Sequence, residues 1–334
     1  MKMDGNGLIT VSGLSKFYQG RGSFLGEGKK ILRAVDGVSF SIREGETLGL
    51  VGESGCGKST LGRIILRLIP ASGGSVRYQG EELLDMPKKA LRGMRRRMQI
   101  VFQDPYASLN PRMTVEEIVT APLAVFKIGI KTERREAAAR VLEEVGLSSR
   151  HLGRFPHEFS GGQRQRIGIA RSLVLNPEFV VFDEPLSALD VSVRAQVLNL
   201  IRSLQNRRKL TSLFISHDLS VVKHISDRIA VMYLGKLLEL ADKHELYNHP
   251  LHPYTRGLIG AIPIPDTGRR RKRTELPGDV PSAYHIPQGC RFHTRCSMIR
   301  EVCTVSEPEL RQISAGHWAA CHQILEQPRY PGST

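Results

Sequence analysis

Short apolar runs bounded by turn residues recur along the chain, at Leu48-Gly49-Leu50-Val51, Arg97-Met98-Gln99-Ile100-Val101-Phe102, Phe179-Val180-Val181-Phe182 and Leu213-Phe214-Ile215-Ser216. Runs of this length read as strands, the first, third and fourth of them as buried core strands. Between them the apolar spacing is helical. It recurs over Leu61 to Leu68, over Glu133 to Val145 with Thr132 opening the run and Gly146 stopping it, and over Arg164 to Val174. Ile167, Ala170, Leu173 and Val174 make one apolar face of the last of these. Strands alternating with helices predict an α/β fold with a mostly parallel sheet. Residues 8–48 read instead as short strands joined by turns, with Val38-Ser39-Phe40-Ser41-Ile42 alternating apolar and polar. Thr114-Val115-Glu116-Glu117 is a capping box, and Ser160 suits a helix N-cap. Beyond about residue 240 the periodicity loosens and prolines multiply, at Pro250, Pro253, Pro263, Pro265, Pro277, Pro281 and Pro287. The expected organisation is a main domain over 1–245, with a helical section about 104–176, followed by a loop-rich module over 246–334.

Composition narrows the class without choosing a partner. With 334 residues, 40% of them hydrophobic, the chain can build a sizeable core. No apolar run reaches the length of a bilayer span, and the first residues lack the apolar stretch of a signal peptide, so a cytoplasmic protein with reduced thiols is expected. A formal net charge of +15 points to an acidic partner: nucleic acid, anionic lipid or nucleotide. The run Arg269-Arg270-Arg271-Lys272-Arg273 reads as a solvated loop or as a lipid contact.

Candidate chemistry gathers at the strand ends. Gly52-Glu53-Ser54-Gly55-Cys56-Gly57-Lys58-Ser59-Thr60 lies between a strand and a helix, in the order of a P-loop. Gly52, Gly55 and Gly57 let backbone N–H groups turn toward phosphate oxygens; Lys58 would reach the β- and γ-phosphates, and Ser59 would hold Mg²⁺. Ser160-Gly161-Gly162-Gln163 offers a second helix start open to an anion. The strand at 179–182 ends in Asp183-Glu184; Asp183 would reach Mg²⁺ through its water shell, and Glu184 would orient or deprotonate an attacking water. Gln103 and His217 end two other strands, where α/β sheets meet their ligands. Phe17 and Tyr18, before the glycine-rich stretch 20–28, read either as strand packing or as a purine-stacking face.

As a set these residues resemble the ATPase subunits of ATP-binding cassette transporters. Besides the P-loop, the resemblance assigns Gln103 as the Q-loop glutamine and Ser160, Gly161, Gly162 and Gln163 as the signature. Asp183 and Glu184 match the Walker B pair, Ser187 to Asp190 the D-loop, His217 the switch histidine and Tyr18 the adenine-stacking ring. Phe159 stands where many members have leucine. The family fold is a P-loop core with an antiparallel β subdomain and a helical signature subdomain. Its chemistry is Mg²⁺-dependent ATP hydrolysis, with Gln103 also near the metal and Thr60 near the nucleotide. The two phosphate-binding helix starts then imply a head-to-tail pair, in which the signature of one chain caps the ATP held by the P-loop of another.

Gln103 to Arg112 and His252-Pro253-Tyr254-Thr255 are similar to the oligopeptide, dipeptide and nickel importer class, and the P-loop context is similar to the second of its two ATPases. This implies a paralogous ATPase partner, two membrane permeases, an extracytoplasmic binding protein acting indirectly, and a place on the cytoplasmic face of the inner membrane. The rival is a non-transport cassette ATPase acting on nucleic acid, which +15 would suit. Relatives of that kind usually carry coiled coils or zinc inserts within the cassette, and neither is visible in the sequence.

Cys290, Cys296, Cys303 and Cys321, four of five cysteines, crowd the tail as C-x₅-C-x₆-C-x₁₇-C. Clustering in a reducing compartment favours a shared metal centre over disulfides. The C-x₂-C knuckles usual for structural zinc are missing, although His293, His317 or His322 could complete a zinc set. Four thiolates match the ligand count of a [4Fe–4S] cluster, and the tail resembles that of peptide-importer ATPases that carry one. Unliganded thiols are the remaining reading.

Overall fold

Among the described residues three strands are buried at every position: β3 (Thr47–Val51), β7 (Phe179–Asp183) and β8 (Thr211–Ser216). The computed structural model describes residues 7–19, 31–262 and 277–325. The glycine-rich stretch 20–28 and the basic run 269–273 lie outside the described residues.

In chain order, β1 (Ile9–Gln19) and β2 (Ile31–Ile42) precede β3, and α1 (Lys58–Ile65), β4 (Gly73–Tyr78) and β5 (Glu81–Glu82) follow it. Next come α2 (Lys88–Arg97), β6 (Met98–Val101), α3 (Pro105–Ser108), α4 (Val115–Val125), α5 (Lys131–Glu144) and α6 (Gly161–Leu173). After β7 lie α7 (Val191–Arg208), β8, α8 (Leu219–Ile225), β9 (Arg228–Tyr233) and β10 (Lys236–Asp242). The tail adds α9 (Lys243–Asn248), α10 (Pro253–Gly260), α11 (Glu301–Val305), β11 (Arg311–Ser314), β12 (His317–Ala319) and α12 (His322–Leu325). Contacts divide the chain into two units, one drawn from 1–41, 48–84 and 216–334, the other from 42–47 and 85–215.

In the first unit β3 pairs in parallel with β9, Leu50 opposite Ala230. Beyond β9 the pairing turns antiparallel, through β10 to β12 and β11. The tail therefore extends a sheet rather than hanging beside it as loop alone. A second, antiparallel sheet runs β2-β1-β4-β5, with Ile9 opposite Tyr78 and Val11 opposite Val76. Gly49 sits where a Cβ would fall 2.2 Å from Val222 Cγ1 and 2.5 Å from Ser226 Oγ, so α8 lies close upon β3.

One buried carboxyl ties the tail of this unit together. Glu239 on β10 is fully buried and accepts from the Leu251 N–H (2.7 Å) and the His252 N–H (2.9 Å), and it meets His317 Nε2 on β12 at 2.7 Å. His252 Nδ1 in turn accepts from the Tyr254 N–H at 3.0 Å and caps α10. Burial pushes the His252 pKa down to about 4, so the ring stays neutral and keeps this acceptor.

The second unit is a parallel set, β6 to β7 to β8, with helices α2 to α7. Its turn at 43–47 is pinned on β8: the Gly45 N–H donates to Thr211 Oγ1 at 2.9 Å, and Thr47 Oγ1 lies 2.9 Å from Ser212 Oγ. The capping box expected at Thr114 forms, with Glu117 returning the bond to the Thr114 N–H at 2.8 Å. Helix α5 starts earlier than Thr132 suggests, because Glu133 accepts from the Ile130 N–H at 2.8 Å and closes the first turn there.

Replacing Glu239 by Ala should cost about 3 kcal/mol or more of stability, since three donors, those of His252 and His317 buried and that of Leu251 half-buried, lose their acceptor at once. Denaturant unfolding of the two proteins measures it; a loss below about 1 kcal/mol would mean that Glu239 does not tie β10, the 251–252 turn and β12 together.

Candidate nucleotide site

The loop between β3 and α1 is shaped by glycines that no other residue could replace. Gly52 has φ 155° and Gly57 φ 107°, a region that side chains rarely enter. A Cβ on Gly52 would come 2.1 Å from the Met232 carbonyl oxygen, and one on Gly57 would come 1.9 Å from that of Ala34. Gly55, also left-handed at 80°, faces open space. Unlike α4, α6 and α7, helix α1 has no side chain capping its first turn. A helix start of that kind, preceded by turned-in peptide groups, suits an anion.

Lys58 is buried to 3% exposure and donates through Nζ to the carbonyls of Gly52 at 2.8 Å and Glu53 at 3.0 Å. The cation is thus already folded back over the loop. Ser59 and Thr60 follow in the first turn of α1. Tyr18, at the end of β1, keeps 38% of its surface exposed and carries the Lys16 ammonium over its ring at 4.9 Å. His217, exposed, follows β8; the next residue, Asp218, caps α8 by accepting from the Ser220 N–H at 2.8 Å.

The second unit brings Gln103 and Glu184 together. Gln103, two residues beyond β6, donates from Nε2 to Glu184 Oε2 at 3.1 Å. Glu184 sits at φ 46°, a left-handed conformation that costs a non-glycine residue about 1–3 kcal/mol and recurs at functional sites. The turn is held by the Glu184 N–H on the Ile215 carbonyl (3.1 Å) and by Ser187 Oγ on the Glu184 carbonyl (3.0 Å). Asp183, one residue earlier, is 1% exposed at the end of β7.

Ser160 caps α6 as its sequence context suggests: its hydroxyl accepts from the Gln163 N–H at 3.4 Å, and its own N–H donates to Gln163 Oε1 at 3.0 Å. Gly161 follows at the first helical position. Gly162 cannot carry a side chain, because a Cβ there would meet Val193 Cγ1 of α7 at 2.3 Å. Asp190 caps that helix. Its carboxylate accepts from the Val193 N–H and Ser192 Oγ, both at 3.0 Å, and the Val193 N–H holds its pKa below the usual range.

One contact in this unit has no local signal. The Arg164 guanidinium lies 4.2 Å over the ring of Tyr106, so α3, just past Gln103, is tied to the first turn of α6. An aromatic in the short helix after a strand gives no sign of which cation will cover it.

The four tail cysteines are gathered. Cys290, Cys303 and Cys321 are buried and Cys296 partly so. Burial pushes the Cys290 thiol up to about 12, with the other three adding to it; Cys296 and Cys321 are also raised, chiefly by burial. Among the described residues, however, no group of three or more His, Cys, Asp or Glu is arranged to hold a metal ion. The expected [4Fe–4S] cluster or zinc site thus finds no arranged ligand group among the described residues.

A P-loop opening a helix, a carboxylate pair ending a buried parallel strand and a second capped helix start define an α/β nucleotide-binding protein. The family model for the ABC transporter matches residues 35–187, and that for the oligopeptide/dipeptide transporter C-terminal region matches residues 238–303. The oligopeptide transport ATP-binding protein AppF of Bacillus subtilis is 49% identical over 320 residues, covering 94% of this chain and 97% of that protein. Among solved structures, the dimeric post-hydrolysis state of the ATP-binding cassette MJ0796 bound to ADP and Pi is 30% identical with a TM-score of 0.61, covering 70% of this chain and 98% of that one. The cbiO1 protein of Clostridium perfringens, part of the ABC transporter complex cbiONQ, is 25% identical with a TM-score of 0.63, covering 73% and 92%. The chain belongs to the ABC transporter family, as an ATP-binding and ATP-hydrolysing subunit. The nucleic-acid reading of its positive charge gains no support from these relatives. Among the described residues, no helix is long and apolar enough to cross a membrane.

Gly57→Ala should weaken binding of a fluorescent ATP analogue at least about tenfold, because the added methyl displaces the Ala34 peptide or the loop itself. Unchanged affinity in a titration would show that the loop does not need this conformation.

Proposed function

We propose that this chain is one ATPase of a peptide importer, sitting at the cytoplasmic face of the inner membrane and driving two permease subunits. The observation that carries the reading is the oligopeptide/dipeptide transporter C-terminal region at 238–303, joined in one chain to the cassette at 35–187. Small solutes such as nickel are the alternative cargo of this class. An extracytoplasmic binding protein would select the cargo, so growth of a deletion strain on di- and oligopeptides, against limiting nickel, separates the two.

In the proposed cycle Lys58 leaves the Gly52 and Glu53 carbonyls for the phosphates, and the uncapped start of α1 receives them. Tyr18 stacks on the base. Ser59 would hold Mg²⁺, with Asp183 reaching it through its water shell and Gln103 near it, and the charge neutralisation supplied there would ease attack on the phosphates. Glu184 takes the proton of the attacking water, His217 contacts the γ-phosphate, and Gln103 reports its presence through the bond it makes to Glu184. Ser160 and the glycines after it would close over the ATP of a second cassette, with Asp190 at the same face. A paralogous ATPase is the proposed partner, because the P-loop context is similar to the second of two ATPases.

The four tail thiols are proposed as a structural metal knot, read as iron–sulfur by the family resemblance and supported by their mutual proximity. The knot would have no part in hydrolysis. Iron, sulfide and zinc analysis of protein purified without oxygen decides among cluster, zinc and bare thiols.

Glu184→Gln should bind ATP with wild-type affinity while hydrolysis falls at least about a hundredfold, the usual scale for a general base. Turnover near the wild-type rate would remove Glu184 from the role of base.

A further inference from the structure

Glu53 is an anion built into a loop whose task is to hold another anion. Both of its peptide groups are engaged: its N–H donates to the Tyr254 hydroxyl at 3.0 Å, and its carbonyl accepts from Lys58 Nζ at 3.0 Å. Its carboxylate is gripped by Arg295 on both oxygens, Nη1 to Oε2 at 2.8 Å and Nη2 to Oε1 at 3.1 Å. The Tyr254 hydroxyl proton is directed to Oε2 at 3.4 Å. Two-point pairing of this kind fixes a carboxylate in direction as well as in charge.

Arg295 comes from far along the chain, 242 positions away, and is only 6% exposed. It ends the short 3-10 turn His293–Arg295, between Cys290 and Cys296. Its Nε donates to the Pro277 carbonyl at 3.1 Å, and its guanidinium lies 5.9 Å from the Tyr233 ring. The hydrogen bonds it donates to Glu53 are the main reason its pKa is raised further still. Phe292 of the same segment packs against Tyr254 and Tyr233, at ring-centroid distances of 5.3 and 5.5 Å. Arg291 bonds the Leu234 carbonyl and Asp36, and Glu307 at 2.9 Å. Asp36 lies two residues from Ala34, whose carbonyl abuts Gly57. The Asp36 N–H meets the Gly235 carbonyl, while the Gly235 N–H meets that of Cys56, both at 2.9 Å. The segment between the first two tail cysteines therefore braces the phosphate loop at Glu53 and behind Cys56 and Gly57.

We propose that Arg295 is a positioning residue of the nucleotide site: by neutralising and directing the Glu53 carboxylate, with Tyr254 fixing the Glu53 peptide, it holds the phosphate loop ready for ATP. The inference rests on ATP binding by this loop and not on the cargo or on any metal at the cysteines. Without Arg295 the Glu53 carboxylate keeps its charge but loses its cation. It then repels the incoming phosphates and competes with them for Lys58.

The test compares Arg295→Gln, Arg295→Lys and the double variant Arg295→Gln/Glu53→Gln in the full chain. Glutamine keeps donors and lysine keeps charge, and both are shorter than arginine, so a purely structural role would affect them alike. Equilibrium titration with a fluorescent ATP analogue should show R295Q roughly tenfold weaker than wild type, R295K within about threefold, and the double variant recovering most of the loss. In the assembled transporter the R295Q effect should fall on KM for ATP, with kcat within about twofold. Thermal melts show which variants are folded, and R295K against wild type stands even where R295Q does not fold: a tenfold loss in R295K overturns the proposal. So do unchanged affinity in R295Q, equal losses in R295Q and R295K, or a double variant as weak as R295Q.

Discussion

Turning several peptide N–H groups toward one anion forces the main chain into conformations that side chains rarely allow, and such a loop holds only if its outer side is braced. Gly52 and Gly57 meet the first demand, and the Met232 and Ala34 carbonyls press close enough to forbid any Cβ there. Those two carbonyls belong to β9 and to the β2 segment, so the strands beside the loop define its shape from outside. Lys58, folded onto the Gly52 and Glu53 carbonyls, completes the loop from within. Sheet order, tail docking and the aromatic cluster of Tyr233, Tyr254 and Phe292 all serve this one constraint.

The second unit solves a related problem with a different residue. Glu184 takes a left-handed conformation without being glycine, and its peptide is held from both sides by Ile215 and Ser187. The strain directs its carboxylate to Gln103. From there the chain runs through Asp104, which caps α3, to Tyr106, and the Arg164 guanidinium over that ring carries the link to the helix that Ser160 opens. From Gln103 the chain thus has a short covalent and packed route to α6.

What the sequence discloses is what local chemistry decides. The short, mainly apolar runs at 48–51, 179–182 and 213–216 form strands buried on both faces, and the caps at Thr114 and Ser160 form because their partners are three residues away. Thr132 misleads for the same local reason: Glu133 serves Ile130 first, so the helix begins before the threonine. Long-range pairings leave no such trace. Nothing near Glu53 announces Arg295, nothing near Tyr106 announces Arg164, and the antiparallel extension by β12 and β11 depends on a buried Glu239–His317 contact. Cysteine spacing likewise shows the thiols crowding the tail, while their arrangement in space is set by the fold.

The central claim is that ATP joins the P-loop of one cassette to the signature of another. Val191, next to Asp190 and 81% exposed at the start of α7, is a suitable place for a photo-cross-linking residue. Irradiation of the hydrolysis-deficient chain, with the proposed paralogous ATPase and permeases present, should link it to a second cassette with ATP and not with ADP or without nucleotide. A link formed equally under all three conditions, or none with ATP, would contradict the account.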